Sequence, residues 1–184
     1  MTRAGRPAAV ALGSNLGNRQ AHLAYAVGRL RSVLTGVVVS SFIETAPEHD
    51  APGPMFLNGA IVGETDAPPG RLLARLLEIE QERGRERRYV GAPRTLDLDL
   101  VLLGDLVLDE PGLRIPHPRF RGRPFVLAPL AEIAPAMVDP ESGLSMTELL
   151  ARMTVGGRGS DVKAGGNIST GDIVSSRLRR TGNA

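Results

Sequence analysis

Residues Gly91 to Leu103 read G-A-P-R-T-L-D-L-D-L-V-L-L, and no other stretch restricts the fold as tightly. Leu96, Leu98 and Leu100 alternate with Asp97 and Asp99 before an apolar run. Such alternation predicts a half-buried strand, because successive side chains leave opposite faces of the pleat. Asp97 and Asp99 then share a face, with Cβ atoms roughly 6–7 Å apart from the strand rise. Two carboxylates at that spacing suit a hard divalent cation such as Mg²⁺ and leave positions for phosphate oxygens. The same pattern also describes an amphipathic strand whose acids simply face water, so the surroundings must decide. Arg94 stands just before the strand, and Arg83, Arg85, Arg87 and Arg88 cluster upstream.

The elements around this strand follow from their periods. Ala8 to Leu12 is a short apolar strand, and Gly13 to Asn18 a turn with Asn18 as helix N-cap. Leu23, Val27, Leu30 and Leu34 recur at helical spacing over about residues 19–34. The β-branched run Val37 to Thr45 predicts a second strand, the Pro-rich stretch Ala46 to Pro54 a loop, and Phe56 to Glu64 a third strand. After Pro68-Pro69-Gly70, Leu72, Leu73, Leu76, Leu77 and Ile79 form the stripe of a second helix stopped at Gly84. Thr95 to Leu103 is the fourth strand.

The order β-α-β-β-α-β predicts an α+β, ferredoxin-like two-layer sandwich with a mainly antiparallel sheet and both helices on one face. The other face is left for loops to build a site. Gly104-Asp105 predicts a hairpin returning Leu106 to Leu108 against strand four, with a short strand at Leu113 to Ile115 beyond it. Short C-terminal helices follow. One spans Phe125 to Ile133 with a kink at Pro129; the other follows a capping box, Ser145 to Glu148, and ends near Met153. From Val155 the chain is Gly-, Ser- and Thr-rich without an apolar period. The expectation is one domain over 1–154 and a disordered tail over 155–184.

Composition removes several function classes. The absence of cysteine excludes thiol nucleophiles and cysteine-ligated zinc, and fits a reducing, cytoplasmic setting. No segment has the length and apolarity of a membrane span, and the N-terminus lacks a signal-peptide core, so a soluble protein is expected. The pI of about 9.6 invites a nucleic-acid reading. However, residues 155–184 hold Arg158, Lys163, Arg177, Arg179 and Arg180 against Asp161 and Asp172, and the whole chain nets only +2. The part expected to fold is therefore nearly neutral, and aromatics are 3% of residues, too few for a base-stacking surface.

Four features can converge on one site: Asp97 with Asp99, Arg94, the loop arginines at 83–88, and the stretch from His117 to Arg123. Phosphates are recognised by divalent cations and by guanidinium forks, and both are on offer here. Taken singly, each has a plainer reading. The basic loop is a solvated surface, Phe56 and Phe125 are core residues, His117 caps a turn, and Glu80 pairs with Arg83 on the surface.

Read together, the motifs resemble a known family. Pro93-Arg94-Thr95-Leu96-Asp97-Leu98-Asp99 is preceded by Glu80, Arg85 and Arg87. It is followed by Ile115-Pro116-His117 and Arg123-Pro124-Phe125. With Ala11 to Gly17, Ser40-Ser41-Phe42, Thr45 and Phe56-Leu57-Asn58, this order resembles the 6-hydroxymethyl-7,8-dihydropterin pyrophosphokinases of folate biosynthesis. The resemblance covers about residues 8–153. It implies an ATP-dependent diphosphotransferase that moves diphosphate to the pterin hydroxymethyl group and releases AMP, with two Mg²⁺ ions on Asp97 and Asp99.

It further implies catalytic roles for Arg85, Arg87, Arg94, Asp97 and Asp99, and ATP contacts by Glu80, Arg85, Arg87, Arg94, Leu100, His117 and Arg123. Thr45, Ala46, Phe56, Asn58, Asp97 and Phe125 would meet the pterin. The implied partners are ATP and a reduced pterin, with neither nucleic acid nor membrane, and the chain is expected to act as a monomer. One departure stands out: Tyr89-Val90-Gly91-Ala92-Pro93-Arg94 puts two residues between Gly and Arg where the family has one. The alternatives are a non-catalytic ferredoxin-like ligand-binding module, or an ATP-dependent transferase with another acceptor.

Overall fold

A computed structural model describes residues 5–48, 53–85 and 92–156. Its first strand, β1 (Arg6–Ser14), is buried along nearly its whole length, from Ala8 to Ser14. Small and apolar residues throughout suit a strand covered on both faces. Helix α1 (Arg19–Leu30) starts where the Asn18 side chain accepts the Ala21 N–H at 3.0 Å. The predicted second strand divides into β2 (Thr35–Val39) and β3 (Ile43–Thr45), each pairing with β4 (Phe56–Thr65). Helix α2 (Pro69–Glu82) has Pro at its first position and ends before Gly84, which takes a left-handed φ of 70°. β5 (Asp97–Leu103) completes the core.

The sheet order is β2-β4-β1-β5, and every neighbouring pair is antiparallel. β1 lies between β4 and β5, and β4 between β2 and β1, so each β-α-β unit is split by a strand from the other. This is the ferredoxin-like core. Alternation sorts the side chains, apart from an irregularity in β5 where Val101 and Leu102 both face the second cluster. Val10, Leu12, Ile61, Leu98 and Leu100 pack with Leu23, Leu30, Leu72 and Leu76 of α1 and α2. Ala9, Ala11, Ala60 and Val101 point the other way.

Beyond β5 the chain departs from expectation. Leu106 to Leu108 does not return against β5; instead β6 (Leu108–Glu110) pairs with β7 (Leu113–Ile115) as a separate two-stranded sheet. Gly104, at φ 59°, turns the chain sharply, and its N–H donates to the Pro7 carbonyl at 2.6 Å, which directs the segment away from a simple hairpin. β7 runs through a cis Ile115–Pro116 bond to His117, whose N–H donates to the Val101 carbonyl at 2.9 Å. α3 (Pro124–Ile133) continues through Pro129, and α4 (Met146–Gly156) begins at the predicted capping box. There Ser145 Oγ donates to Glu148 Oε2 at 2.7 Å and the Glu148 N–H points back at 3.3 Å.

The second sheet face is thus not wholly left to loops. Phe120, Val126, Leu127, Leu130, Met146 and Leu149 of the C-terminal segment bury Ala9, Ala11, Ala60 and Val101. Among the described residues, the end of that face bearing Asp97 and Asn58 is left for a site. Arg121, expected beside that site, faces elsewhere: it grips the fully buried Asp139 through two bonds of 2.6 and 2.7 Å. This clip ties the short 3-10 turn Phe120–Gly122 to the loop before α4.

Gly63 is required by close approach. A Cβ there would lie 2.9 Å from both Leu34 Cβ and the Thr35 carbonyl oxygen. Gly63→Ala is expected to lower stability by about 1–3 kcal/mol in urea unfolding, because backbone blocks any relaxation. Burial alone would raise the Asp139 carboxyl, but bonds from Arg121, Ser142 and the Glu141 N–H outweigh it and hold the group below its ordinary range. A depressed carboxyl stabilises the fold above its unfolded value and loses that contribution as pH falls through the folded one. Asp139→Asn should therefore cost about 2–3 kcal/mol at pH 7. The difference from the parent should shrink below about pH 4, measured by thermal unfolding at both pH values.

Candidate active site

Three strands meet at this open end. Gly13 of β1 pairs with Asn58 of β4 on one side and Asp97 of β5 on the other. Asn58 and Asp97 thus flank a strand position with no side chain. A Cβ built on Gly13 would lie 3.0 Å from Asn58 Oδ1, 3.8 Å from Asp97 Cβ and 4.0 Å from the Phe56 ring. Asn58 is buried, and its Nδ2 donates to Thr45 Oγ1 at 2.7 Å, which leaves Oδ1 facing the opening. Ala46 is exposed immediately after Thr45. Phe56 lies at the start of β4, with the Arg94 guanidinium 5.7 Å from its ring centre. A polar edge and an aromatic face are therefore side by side.

Asp97 and Asp99 project from the same face of β5, as alternation requires, and their environments differ. Both Asp97 oxygens are taken: Oδ1 lies 2.6 Å from Arg85 Nη1 and Oδ2 accepts from Arg94 Nη1 at 2.6 Å. Asp99 Oδ2 has looser company, Arg123 Nη1 at 3.5 Å and His117 Nε2 at 3.9 Å. Burial, and then the negative charge of Asp97, raise the Asp99 carboxyl above its ordinary value despite the nearby cations. Burial likewise lowers the His117 imidazole, with Asp99 opposing it. The Arg119 N–H donates to His117 Nδ1 at 3.3 Å, so Nε2 carries the proton and faces Asp99.

Arg123 is buried at the start of α3 and reaches three ways: Asp99, Glu48 Oε2 at 3.1 Å from Nη2, and the Phe125 ring centre at 5.5 Å. The Nε–H groups of Arg94 and Arg123 are both buried without a hydrogen-bond partner among the described residues. The guanidinium forks of Arg94 and Arg123 beside a carboxylate pair suit the oxygens of an anionic ligand.

Other expected residues fall into place differently. Glu80 does not pair with Arg83 on the surface. It is 2% exposed, accepts the Leu98 N–H at 2.7 Å through Oε1, and bonds to Arg85. Arg83 instead donates to His22 Nδ1 at 2.9 Å and lies over the Tyr25 ring. Leu100 buries its side chain against the helices, so only its backbone is near the site face. Phe125 packs at the edge of the second core cluster. Arg87, Tyr89, Val90 and the segment beyond residue 156 lie outside the described residues.

Two residues escaped the sequence reading. Asn15 is 4% exposed and pins Arg94 from both ends: its N–H donates to the Arg94 carbonyl at 3.1 Å and its Oδ1 accepts the Arg94 N–H at 2.7 Å. Its Nδ2 reaches the Pro54 carbonyl at 3.4 Å. Glu48, the partner of Arg123, sits in a loop whose composition showed nothing beyond prolines. For Asn15 the signal in the sequence is the Gly-Ser-Asn-Leu-Gly turn, which belongs to the family resemblance but carries no role for Asn15 there.

Comparison with known proteins gives the family. Residues 9–135 match the model of the 7,8-dihydro-6-hydroxymethylpterin-pyrophosphokinase (HPPK) family. A 2-amino-4-hydroxy-6-hydroxymethyldihydropteridine pyrophosphokinase of Synechocystis is 42% identical over 149 residues, spanning 79% of this chain and 75% of that protein. The same-named Bacillus subtilis protein is 43% identical over 141 residues, 76% and 84% of the two chains. Among solved structures, the Plasmodium falciparum HPPK-DHPS superposes with a TM-score of 0.63 at 14% identity, over 83% of this chain and 45% of that one, a likeness of fold. The carboxylate pair, the arginines around it and the Asn58–Phe56 edge thus occur in a chain that belongs to the 7,8-dihydro-6-hydroxymethylpterin-pyrophosphokinase family.

Proposed function

We propose that the protein transfers diphosphate from ATP to the hydroxymethyl group of 6-hydroxymethyl-7,8-dihydropterin, releasing AMP, in folate biosynthesis. The observation that carries this reading is the row Asn58–Gly13–Asp97. It sets an amide that can read a heterocycle's polar edge two strands from a phosphate-handling carboxylate pair. Adjacent strands lie about 4.8 Å apart, so the Asn58 and Asp97 backbones are on the order of 10 Å apart with only a glycine between them, which leaves that part of the face open to a flat ligand.

Asp97 and Asp99 would hold two Mg²⁺ ions. The fit is supported by two hard oxygen donors on one face, with Asp99 Oδ2 approached only loosely, by Arg123 Nη1 at 3.5 Å and His117 Nε2 at 3.9 Å. When bound, the ions neutralise phosphate charge and acidify the acceptor hydroxyl. Arg94 and Arg123 supply guanidinium donors to the phosphates, Arg85 and Arg87 add to them, and His117 presents its Nε2–H. Asn58, Thr45 and the Ala46 backbone would orient the pterin edge, with Phe56 and Phe125 covering its faces. Glu80 would act on ATP through Arg85 and the strand it holds, and Leu100 through its backbone.

We place the activity in residues 1–154, with the chain acting as a monomer. No described helix is long and apolar enough to cross a membrane.

The test is the nucleotide product. With ATP, Mg²⁺ and the hydroxymethyl-dihydropterin, AMP should form with the pterin diphosphate; ADP, or no pterin-dependent turnover, would overturn the reading. Asp97→Asn and Asp99→Asn should each cut turnover by about two to three orders of magnitude while leaving the melting temperature near that of the parent. For Asn58→Ala and Phe56→Ala, a direct binding measurement should show pterin affinity falling about 10- to 100-fold with ATP affinity little changed.

A further inference from the structure

Both oxygens of Asp97 are already engaged by guanidinium groups, while Asp99 is only loosely paired. The Arg85 side chain is mostly buried, and its Nη1 bridges Glu80 Oε1 and Asp97 Oδ1. Glu80 is itself held, because its Oε1 also accepts the N–H of Leu98, the residue between the two aspartates. Arg85 is therefore anchored to the same strand whose carboxylate it covers. A divalent cation cannot take Asp97 Oδ1 while a positive guanidinium sits 2.6 Å from it, since like charges that close repel strongly where water is scarce.

We infer that Arg85 is a positioning residue that occupies Asp97 as an internal cation in the nucleotide-free protein and so keeps a divalent ion off that carboxylate. This rests on the proposed cation-binding role of Asp97 and Asp99. Phosphate oxygens arriving with ATP offer Arg85 an alternative anionic partner and free Asp97 Oδ1. Cation loading at Asp97 is thereby tied to the nucleotide, and the bare enzyme does not accumulate metal there. Glu80 keeps Arg85 at hand in both situations.

The signs of the expected effects are opposite, which separates this role from a merely structural one. Mn²⁺ serves as the probe, followed by electron paramagnetic resonance of the free ion, on full-length protein. Without nucleotide, Arg85→Gln should bind Mn²⁺ about tenfold more tightly than the parent. Its affinity for a non-hydrolysable ATP analogue with Mn²⁺ should fall by a similar factor. Arg85→Lys, which keeps the charge, should stay close to the parent in nucleotide-free Mn²⁺ binding. The double variant Glu80→Gln/Arg85→Gln also removes the buried carboxylate that Arg85 meets, and the gain in Mn²⁺ affinity should persist in it.

Unchanged or weaker nucleotide-free Mn²⁺ binding in both Arg85→Gln and the double variant would overturn the inference. So would a gain that disappears in the double variant, because Glu80 would then be the ligand. Failure of the underlying reading looks different: Asp97→Asn would bind Mn²⁺ with the ATP analogue as well as the parent does.

Discussion

The two faces of β5 cannot be set independently. Leu98 and Leu100 must reach the core beneath α1 and α2, and the pleat then obliges Asp97 and Asp99 to leave on the other side. A one-residue slip would put two carboxylates into the apolar layer and turn Leu98 and Leu100 out of it. Hydrophobic burial in one layer thus fixes the register of charged groups in the other. Glu80 reinforces that register from the helix side, since its carboxylate accepts the Leu98 N–H through the sheet's buried edge.

The C-terminal segment turns an open sheet face into a bounded site. Phe120, Val126 and Leu127 cover the middle of the second face through Ala9, Ala11 and Ala60, whose small side chains let helix α3 lie close. The same packing delivers Arg123 and Phe125 to the rim. Arg119, Arg121 and Arg123 are spaced alike in sequence yet end in different roles. Arg121 clips Asp139 in the scaffold, Arg123 enters the site, and Arg119 stays exposed with its backbone N–H on His117.

Among the described residues, Arg85, Arg94 and Arg123 interleave with Glu48, Glu80, Asp97 and Asp99. This pairing lets acids and bases crowd together in a partly buried place. The pairing is uneven, however. Asp97 is doubly paired, and the carboxyl of Asp99 is raised by burial and by its neighbour. A site that handles a polyanion with divalent cations gains from such an arrangement, because its own groups can exchange partners without leaving a bare charge.

Much of this was legible in the chain because it is local. Period-two and period-3.6 patterns predicted the strands and helices of the ferredoxin-like core. The Leu-Asp-Leu-Asp run placed both carboxylates on one face, and the capping box at Ser145 was found where Glu148 closes it. Sequence alone could not decide which acid each arginine meets, that Glu80 is buried rather than paired with Arg83, or that Asn15 pins Arg94 from 79 residues away. Nor did it show that Leu108 would pair with Ile115 rather than return to β5. Those outcomes depend on long-range choices among equivalent partners. A guanidinium attracts any carboxylate, and only the packed arrangement of strands and helices brings one within reach and excludes the rest.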